Sequence, residues 1–314
     1  MPRSKTLLPA LLMVALLTVG FTSASLIAKE PPAKKTVRVL TIGNSFAGNA
    51  CKYLKQIAEA EGSTELRIGT ANLGGCTLER HWSLADASAS DPTVQPYGYG
   101  DKKLSLQEYL EVEPWDYVTV QQMSALSFKP ESYHPYIERL AETIKKHAPQ
   151  AKILVHQTWA YRQDAPLLKQ WGITQQEMYK QLVGAYDAIA ESLQARQMPV
   201  GDAFQIARNT PGREVLVYDP DYNYDAPQPP QLPKQTNSLV AGQYWSSKSG
   251  KPMLALDFKH GNNKGCLLAG LVWYEVLTGN DARESTYVPS GLQEEDVVYL
   301  REAAHAAVSG KPAK

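Results

Sequence analysis

Residues 36–50, TVRVLTIGNSFAGNA, decide the fold. An apolar, β-branched run stops on Gly43-Asn44-Ser45, and a helix-like sequence begins at once. A buried strand that passes straight into a helix is the opening of a βαβ unit. The same turn sets the Ser45 hydroxyl at the carboxyl end of the strand, where ligands collect in open α/β sheets. Serine is also a preferred helix cap, so the rest of the chain has to show which role Ser45 plays.

The alternation repeats downstream. NACKYLKQIAEAEG (49–62) predicts a helix with Leu54, Ile57 and Ala58 on one face and Gly62 as its stop. TELRIGTAN (64–72), WDYVTVQQ (115–122) and AKILVHQT (151–158) read as strands, and MPVGDAF (198–204) as a short fifth strand with a helix behind it. Between the third and fourth strands, Ile137, Leu140 and Ile144 recur at helical spacing. Thr174 and Glu177 form a capping-box pattern ahead of a long helix with Met178, Leu182, Ala185, Ile189 and Leu193 inward. The stretch YDPDYNYDAPQPPQLPKQT (218–236) is too rich in proline for a central strand and reads as an irregular excursion. SLVAGQYWSSKSGKPMLAL (238–256) suggests a hairpin turning at Ser249-Gly250, GCLLAGLVWYEVLTG (265–279) a buried helix, and residues 291–308 a closing helix. The pattern predicts one domain over 36–310, a three-layer α/β/α fold around a flavodoxin-like parallel sheet of about five strands.

Charge narrows the function classes. Lys+Arg and Asp+Glu are both 32 in the 314 residues, so there is no basic excess to recruit nucleic acid, and a small neutral substrate fits best. Arg3 and Lys5, the apolar LLPALLMVALLTVGF (7–21) and the small residues TSA (22–24) have the form of a signal peptide over 1–24. Residues 25–35 then read as a flexible leader. The apolar run is shorter than the roughly 20 residues that span a bilayer. An exported, periplasmic or extracellular protein with no stable membrane insertion after signal cleavage is expected. Cleavage removes two positive charges and no negative ones, leaving a mature charge of about −2. Cys51, Cys76 and Cys266 are too few and too scattered for a disulfide framework, although one pair could bridge. No His or Cys pair has metal-ligand spacing, so neither a metal nor a cofactor is expected.

The strand ends supply chemistry. The first delivers Gly43-Asn44-Ser45, the second NLGGCT (72–77) and the third Gln121-Gln122, while DFKH (257–260) precedes the apolar helix. Together these hold a hydroxyl, backbone donors in a Gly-rich turn, amide side chains, a His and an Asp. That is the inventory of acyl transfer: a serine activated by an imidazole, the imidazole held by a carboxylate, and fixed donors for the oxyanion.

At this point the chain resembles the SGNH (GDSL-like) hydrolases, and is most similar to a bacterial branch with GNSF, GGC, QQ and DxxH blocks. IGNSF matches the family's first block at the nucleophile, Ser45. LGGCT matches the second at Gly75, whose N–H enters the oxyanion hole with that of Ser45. DFKH matches the last block, with His260 as base and Asp257 as its orienter. The family's third block supplies an Asn side chain to the oxyanion, whereas this strand ends in VQQMS. A glutamine amide donates the same bond on a longer arm, which makes Gln121 or Gln122 the donor. The resemblance spans roughly 36–280. It implies a serine esterase acting on carboxylic esters, acetyl esters of carbohydrate above all, on a small-molecule or glycan substrate.

The remaining candidates are weaker. Asn44 suits a turn that holds the Ser45 loop, and His156 a satisfied core position. His81, Trp82, Trp159 and Tyr161 follow strands or turns near the expected mouth, where they would contact a substrate or simply pack. The Gln-for-Asn exchange and the aromatic excursion keep a second function in view: a non-catalytic protein that retains the fold to bind a glycan or peptide.

Overall fold

A computed structural model describes residues 1–2, 34–248 and 250–310. All of the expected signal peptide past residue 2 and almost all of the leader fall outside them, and Lys35 already belongs to the first strand. β1 (Lys35–Gly43) leads through α1 (Ser45–Cys51) and α2 (Leu54–Glu61) into β2 (Thr64–Asn72). α3 (Leu78–Ser90), a small ribbon of β3 (Tyr97–Tyr99) and β4 (Lys102–Leu104), and α4 (Leu106–Glu111) precede β5 (Tyr117–Val120). α5 (Tyr136–His147) precedes β6 (Lys152–His156), and α6 (Pro166–Trp171) and α7 (Gln175–Leu193) precede β7 (Arg196–Met198). After α8 (Val200–Asn209) come an irregular stretch, the antiparallel pair β8 (Val240–Ser246) and β9 (Met253–Gly261), α9 (Asn263–Thr278) and α10 (Glu294–Ser309).

The central sheet has five parallel strands in the order β2-β1-β5-β6-β7. This is the flavodoxin-like order the sequence predicted. The chain moves from β1 to β2 on one side and then returns to lay β5 on the other, so the sheet reverses direction between β1 and β5. Crevices form at the carboxyl ends of strands at such a reversal. Ser45 sits there, two residues past Gly43.

The inner strands read as near-continuous apolar runs because helices cover both faces; Val37, Val39, Leu40 and Ile42 of β1 are all buried. The periodicities of α5 and α7 bury Ile137, Leu140 and Ile144 in one and Met178, Leu182, Ala185 and Ile189 in the other; Leu193 is half-buried. Both halves of the Thr174/Glu177 capping box are formed. α9 is buried on nearly every side between α1, α2, α8 and α10, as its all-round apolar sequence requires.

Two local expectations fail. The helix expected over 49–62 is two helices, broken at Lys52-Tyr53, where the Lys52 ammonium and the Tyr53 hydroxyl both donate to Asn263 Oδ1, each at 2.9 Å. The fifth strand is Arg196–Met198; Val200, Ala203, Phe204 and Ala207 belong to α8, whose 3–4 residue spacing the short MPVGDAF reading missed. The hairpin forms, but Ser249 of its expected turn is outside the described residues. Among the described residues no helix is long and apolar enough to cross a membrane, and the three cysteines are free thiols.

Candidate active site

Ser45 opens α1, and Asn44 caps it: Asn44 Oδ1 accepts the Phe46 amide at 3.1 Å. The capping duty therefore falls to Asn44, and the Ser45 hydroxyl is left for other contacts. Ser45 Oγ lies 2.9 Å from His260 Nε2, and His260 Nδ1 lies 2.8 Å from Asp257 Oδ2. The three side chains come from the two ends of the chain and meet at the reversal point of the sheet. The His260 and Asp257 side chains are 33% and 25% exposed, so solutes can reach them.

The Asp257–His260 pair works through an irregular strand end. In a regular strand, residues three apart point to opposite faces. Here Val240 faces Gly261 while Gly242 faces Asp257, so two steps on β8 are matched by four on β9. That bulge turns both side chains to one side. Asp257 Oδ1 also accepts the amides of Lys259 at 3.2 Å and His260 at 3.0 Å. Partial burial pushes the Asp257 carboxyl up, but the His260 ring and these two amides together outweigh it and bring it to about 2. It is therefore a carboxylate at any working pH. His260 Nδ1 then carries its proton toward Asp257, leaving the Nε2 lone pair facing the Ser45 hydroxyl.

Gly75 is exposed in the 72–77 turn at φ +59°, a conformation that favours glycine. Neither its N–H nor that of Ser45 has a partner among the described residues. Gln121 and Gln122 part company. Gln121 Nε2 donates to Asn44 Oδ1 at 2.8 Å, and its Oε1 accepts from His156 Nδ1 at 2.9 Å. Asn44 Nδ2 in turn donates to Cys76 O at 3.0 Å, so a buried amide chain joins β6, β5, the Ser45 turn and the Gly75 turn. Gln122 points elsewhere. Its Nε2 donates to both Ser132 oxygens, O at 2.7 Å and Oγ at 3.2 Å, and its Oε1 takes the Leu78 and Met123 amides, which leaves no hydrogen for an oxyanion.

The aromatic and His candidates are interior groups. His81 is buried between Tyr97 OH (2.8 Å) and Gly43 O (3.0 Å), and burial takes it down to about 4. His156 is buried, with burial taking it to about 3; only Nδ1 has a partner, so the expected satisfied core histidine is half satisfied. Trp159 is sandwiched between Phe46 (4.2 Å) and Phe204 (4.4 Å), and Tyr161 is buried against Ser124. Trp82 is half-buried beneath Arg139. Asn44 is 2% exposed and supports the Ser45 turn from below.

Three supports escaped the sequence reading. Asn49, one helical turn beyond Ser45, accepts the Gly261 amide through Oδ1 at 2.9 Å and so ties α1 to the residue after His260. Trp159 Nε1 holds Lys259 O at 2.8 Å, and the Arg162 amide holds Phe258 O at 2.9 Å. The i, i+4 spacing of Ser45 and Asn49 was the available signal. Glu275, Asp281 and His305 form a cluster elsewhere with metal-ligating atoms within 4.8 Å. Arg283 already pairs with Asp281, and Glu275 Oε2 accepts the Ala282 amide.

With this geometry in hand, comparison with known proteins is informative. The family model for a domain of unknown function, DUF4886, matches residues 38–225, a span that includes Ser45, Gly75 and Gln121 and ends before Asp257. No curated protein matches the chain. A DUF4886 family protein from Bacteroides uniformis ATCC 8492 is 27% identical, with 88% of this chain and 95% of that one aligned at a TM-score of 0.68. A candidate SGNH hydrolase from Slackia heliotrinireducens is 21% identical over 77% of this chain and 98% of that one, TM-score 0.48. A lipase/acylhydrolase from Enterococcus faecalis is 13% identical over 77% and 96%, TM-score 0.44. The family-model match covers more than half of the sequence, and the chain belongs to the DUF4886 family.

Proposed function

We propose that the protein is an exported serine esterase that hydrolyses carboxylic esters, acetyl esters of carbohydrate in particular, through an acyl-enzyme on Ser45. One observation carries the proposal: the unbroken line Ser45 Oγ, His260 Nε2, His260 Nδ1, Asp257 Oδ2, with contacts of 2.9 and 2.8 Å.

The chemistry follows from that line. His260 Nε2 accepts the Ser45 proton as Oγ bonds to the ester carbonyl carbon. Asp257 stabilises the imidazolium without taking its proton. The oxyanion is held by the Ser45 and Gly75 amides, with the second amide hydrogen of Gln121 as third donor. The C–O bond to the alcohol then breaks, and the proton on Nε2 leaves with the alcohol. Water repeats the sequence on the acyl-enzyme, releasing the acid and restoring Ser45.

A short acyl group is favoured. The large apolar side chains exposed among the described residues, such as Val112, Leu232 and Val298, lie outside α1, the 72–77 turn and residues 257–260. Among the described residues, then, no strongly exposed large apolar side chain belongs to the segments that carry Ser45, Gly75 and His260, which favours a short acyl group over a long alkyl chain. The experiment is acetate release from acetylated oligosaccharides by the mature protein and by Ser45→Ala. Release by the wild type alone supports the proposal; equal release by both refutes it.

A further inference from the structure

A second recess lies beside the hairpin that carries Asp257 and His260. It is a cavity of about 320 Å³ between the loop after β6, the first turn of α7, α8 and the start of β8. Its wall is continuous with the site: the Arg162 amide bonds Phe258 O, and Val240, which lines the cavity, faces Gly261 across the hairpin.

The lining has two parts. The first is a run of amides. Gln175 Nε2 donates to Gln205 Oε1 at 2.7 Å, and Gln205 Nε2 donates to Gln176 Oε1 at 3.0 Å and Asn209 Oδ1 at 3.2 Å. These bonds leave the Gln176 and Asn209 nitrogens as donors and Gln175 Oε1 as an acceptor, unpaired among the described residues. Alternating donors and acceptors suit neighbouring hydroxyls, each of which both gives and takes a bond.

The second part is Arg208. Its guanidinium lies over the Phe204 ring and donates to Ala160 O at 2.9 Å. Among the described residues no carboxylate lies within ion-pair distance of it. Burial pulls it down to about 10, so it is a cation held partly out of water without a counter-ion. The other charges of the lining are accounted for. Arg162 is paired with Asp164 at 2.8 Å, and Glu214 is exposed on the rim, where it accepts the Gly212 amide. Tyr218, directly after the lining residue Val217, is 62% exposed and stacked on Tyr224 at 5.0 Å, a flat apolar surface of the kind sugar rings pack on.

We propose that this cavity binds an acidic sugar, its carboxylate on the Arg208 guanidinium and its hydroxyls on the amides of Gln175, Gln176 and Asn209. A guanidinium and a carboxylate match as a two-bond fork, which a neutral sugar cannot supply. The role of the bound sugar, as the unit that holds a glycan while a neighbouring ester reaches Ser45, rests on the esterase reading; the binding itself does not.

The test uses the full mature chain as Ser45→Ala, which cannot turn over substrate. Calorimetry compares a galacturonic acid trimer with the neutral galactose trimer. The acidic trimer should bind at least about tenfold tighter, and Arg208→Gln should abolish that preference. Asn209→Asp sets a negative charge at the exposed edge of the cavity and removes one amide donor, so it should weaken the acidic trimer by about tenfold or more and the neutral one by clearly less. Equal binding of the two trimers, no binding of either, or an acid preference that survives both variants would overturn the proposal. Acidic-trimer binding by a protein that hydrolyses no ester would leave this site standing and remove the esterase reading; hydrolysis without that binding would do the reverse.

Discussion

Asn49→Ala perturbs the Ser45–His260 contact without touching either residue. The bond between Asn49 Oδ1 and the Gly261 amide is among those that hold residues 258–261 against the body of the protein, with others from Trp159 and Arg162. It comes from the helix that carries Ser45. Its loss removes a neutral hydrogen bond, about 1 kcal/mol net, and leaves a half-buried N–H that costs about 1 kcal/mol more unless water replaces the partner. Stability should therefore fall by about 1–2 kcal/mol. The kinetic effect is larger in proportion: a displacement of about 1 Å between reacting groups costs up to about 10²-fold. Ester hydrolysis by Asn49→Ala should lose about 10- to 100-fold, in kcat rather than KM, because the bond aligns catalytic groups and does not touch substrate. Asn49→Asp keeps an acceptor in place and should stay within about threefold of wild type. Steady-state hydrolysis of p-nitrophenyl acetate, read beside thermal melts, separates the two effects. A kcat unchanged in Asn49→Ala despite the stability loss would refute the positioning argument, as would equal damage from Asp and Ala.

Other consequences follow from the same contacts. Asp257→Asn should fold normally and lose about 10⁴-fold in kcat, since an amide no longer fixes the His260 tautomer; near-wild-type turnover would show that Asp257 is dispensable. Gly43→Ala sets a Cβ 2.9 Å from Gln121 Oε1 in a buried network, and melts should show about 1–3 kcal/mol of destabilisation. His81 and His156 are neutral in the folded protein, at about 4 and 3, while the unfolded chain protonates them near 6.5. The unfolded state therefore binds more protons between those values. Stability is fully present above about pH 6.5 and falls as pH drops toward 4, at up to about 2.7 kcal/mol per pH unit for the two. Denaturant melts across that range should show the decline; a flat profile would contradict it.

The parts of this fold that were legible from sequence are those where one residue pattern has one structural solution. The β1 run into GNS, the alternating runs of β2 and the capped, periodic α7 each have such a pattern. Legibility failed where tertiary contacts override local preference. The break between α1 and α2 has no Gly or Pro to announce it, and it falls where Lys52 and Tyr53 reach Asn263, more than 200 residues away. The aromatics after β6 looked well placed for a substrate, yet Trp159 is a strut for Lys259 O. Gln121 and Gln122 are adjacent and chemically identical, and only the course of the chain just past β5 sends one toward Asn44 and the other toward Ser132.

The central claim is that Ser45 is an activated nucleophile. The most direct measurement is mass spectrometry of the mature protein after exposure to a fluorophosphonate, with Ser45→Ala alongside. The account predicts a single adduct on Ser45 that is lost in the variant. A folded wild-type protein that takes up no adduct, or takes it up equally in Ser45→Ala, would contradict it.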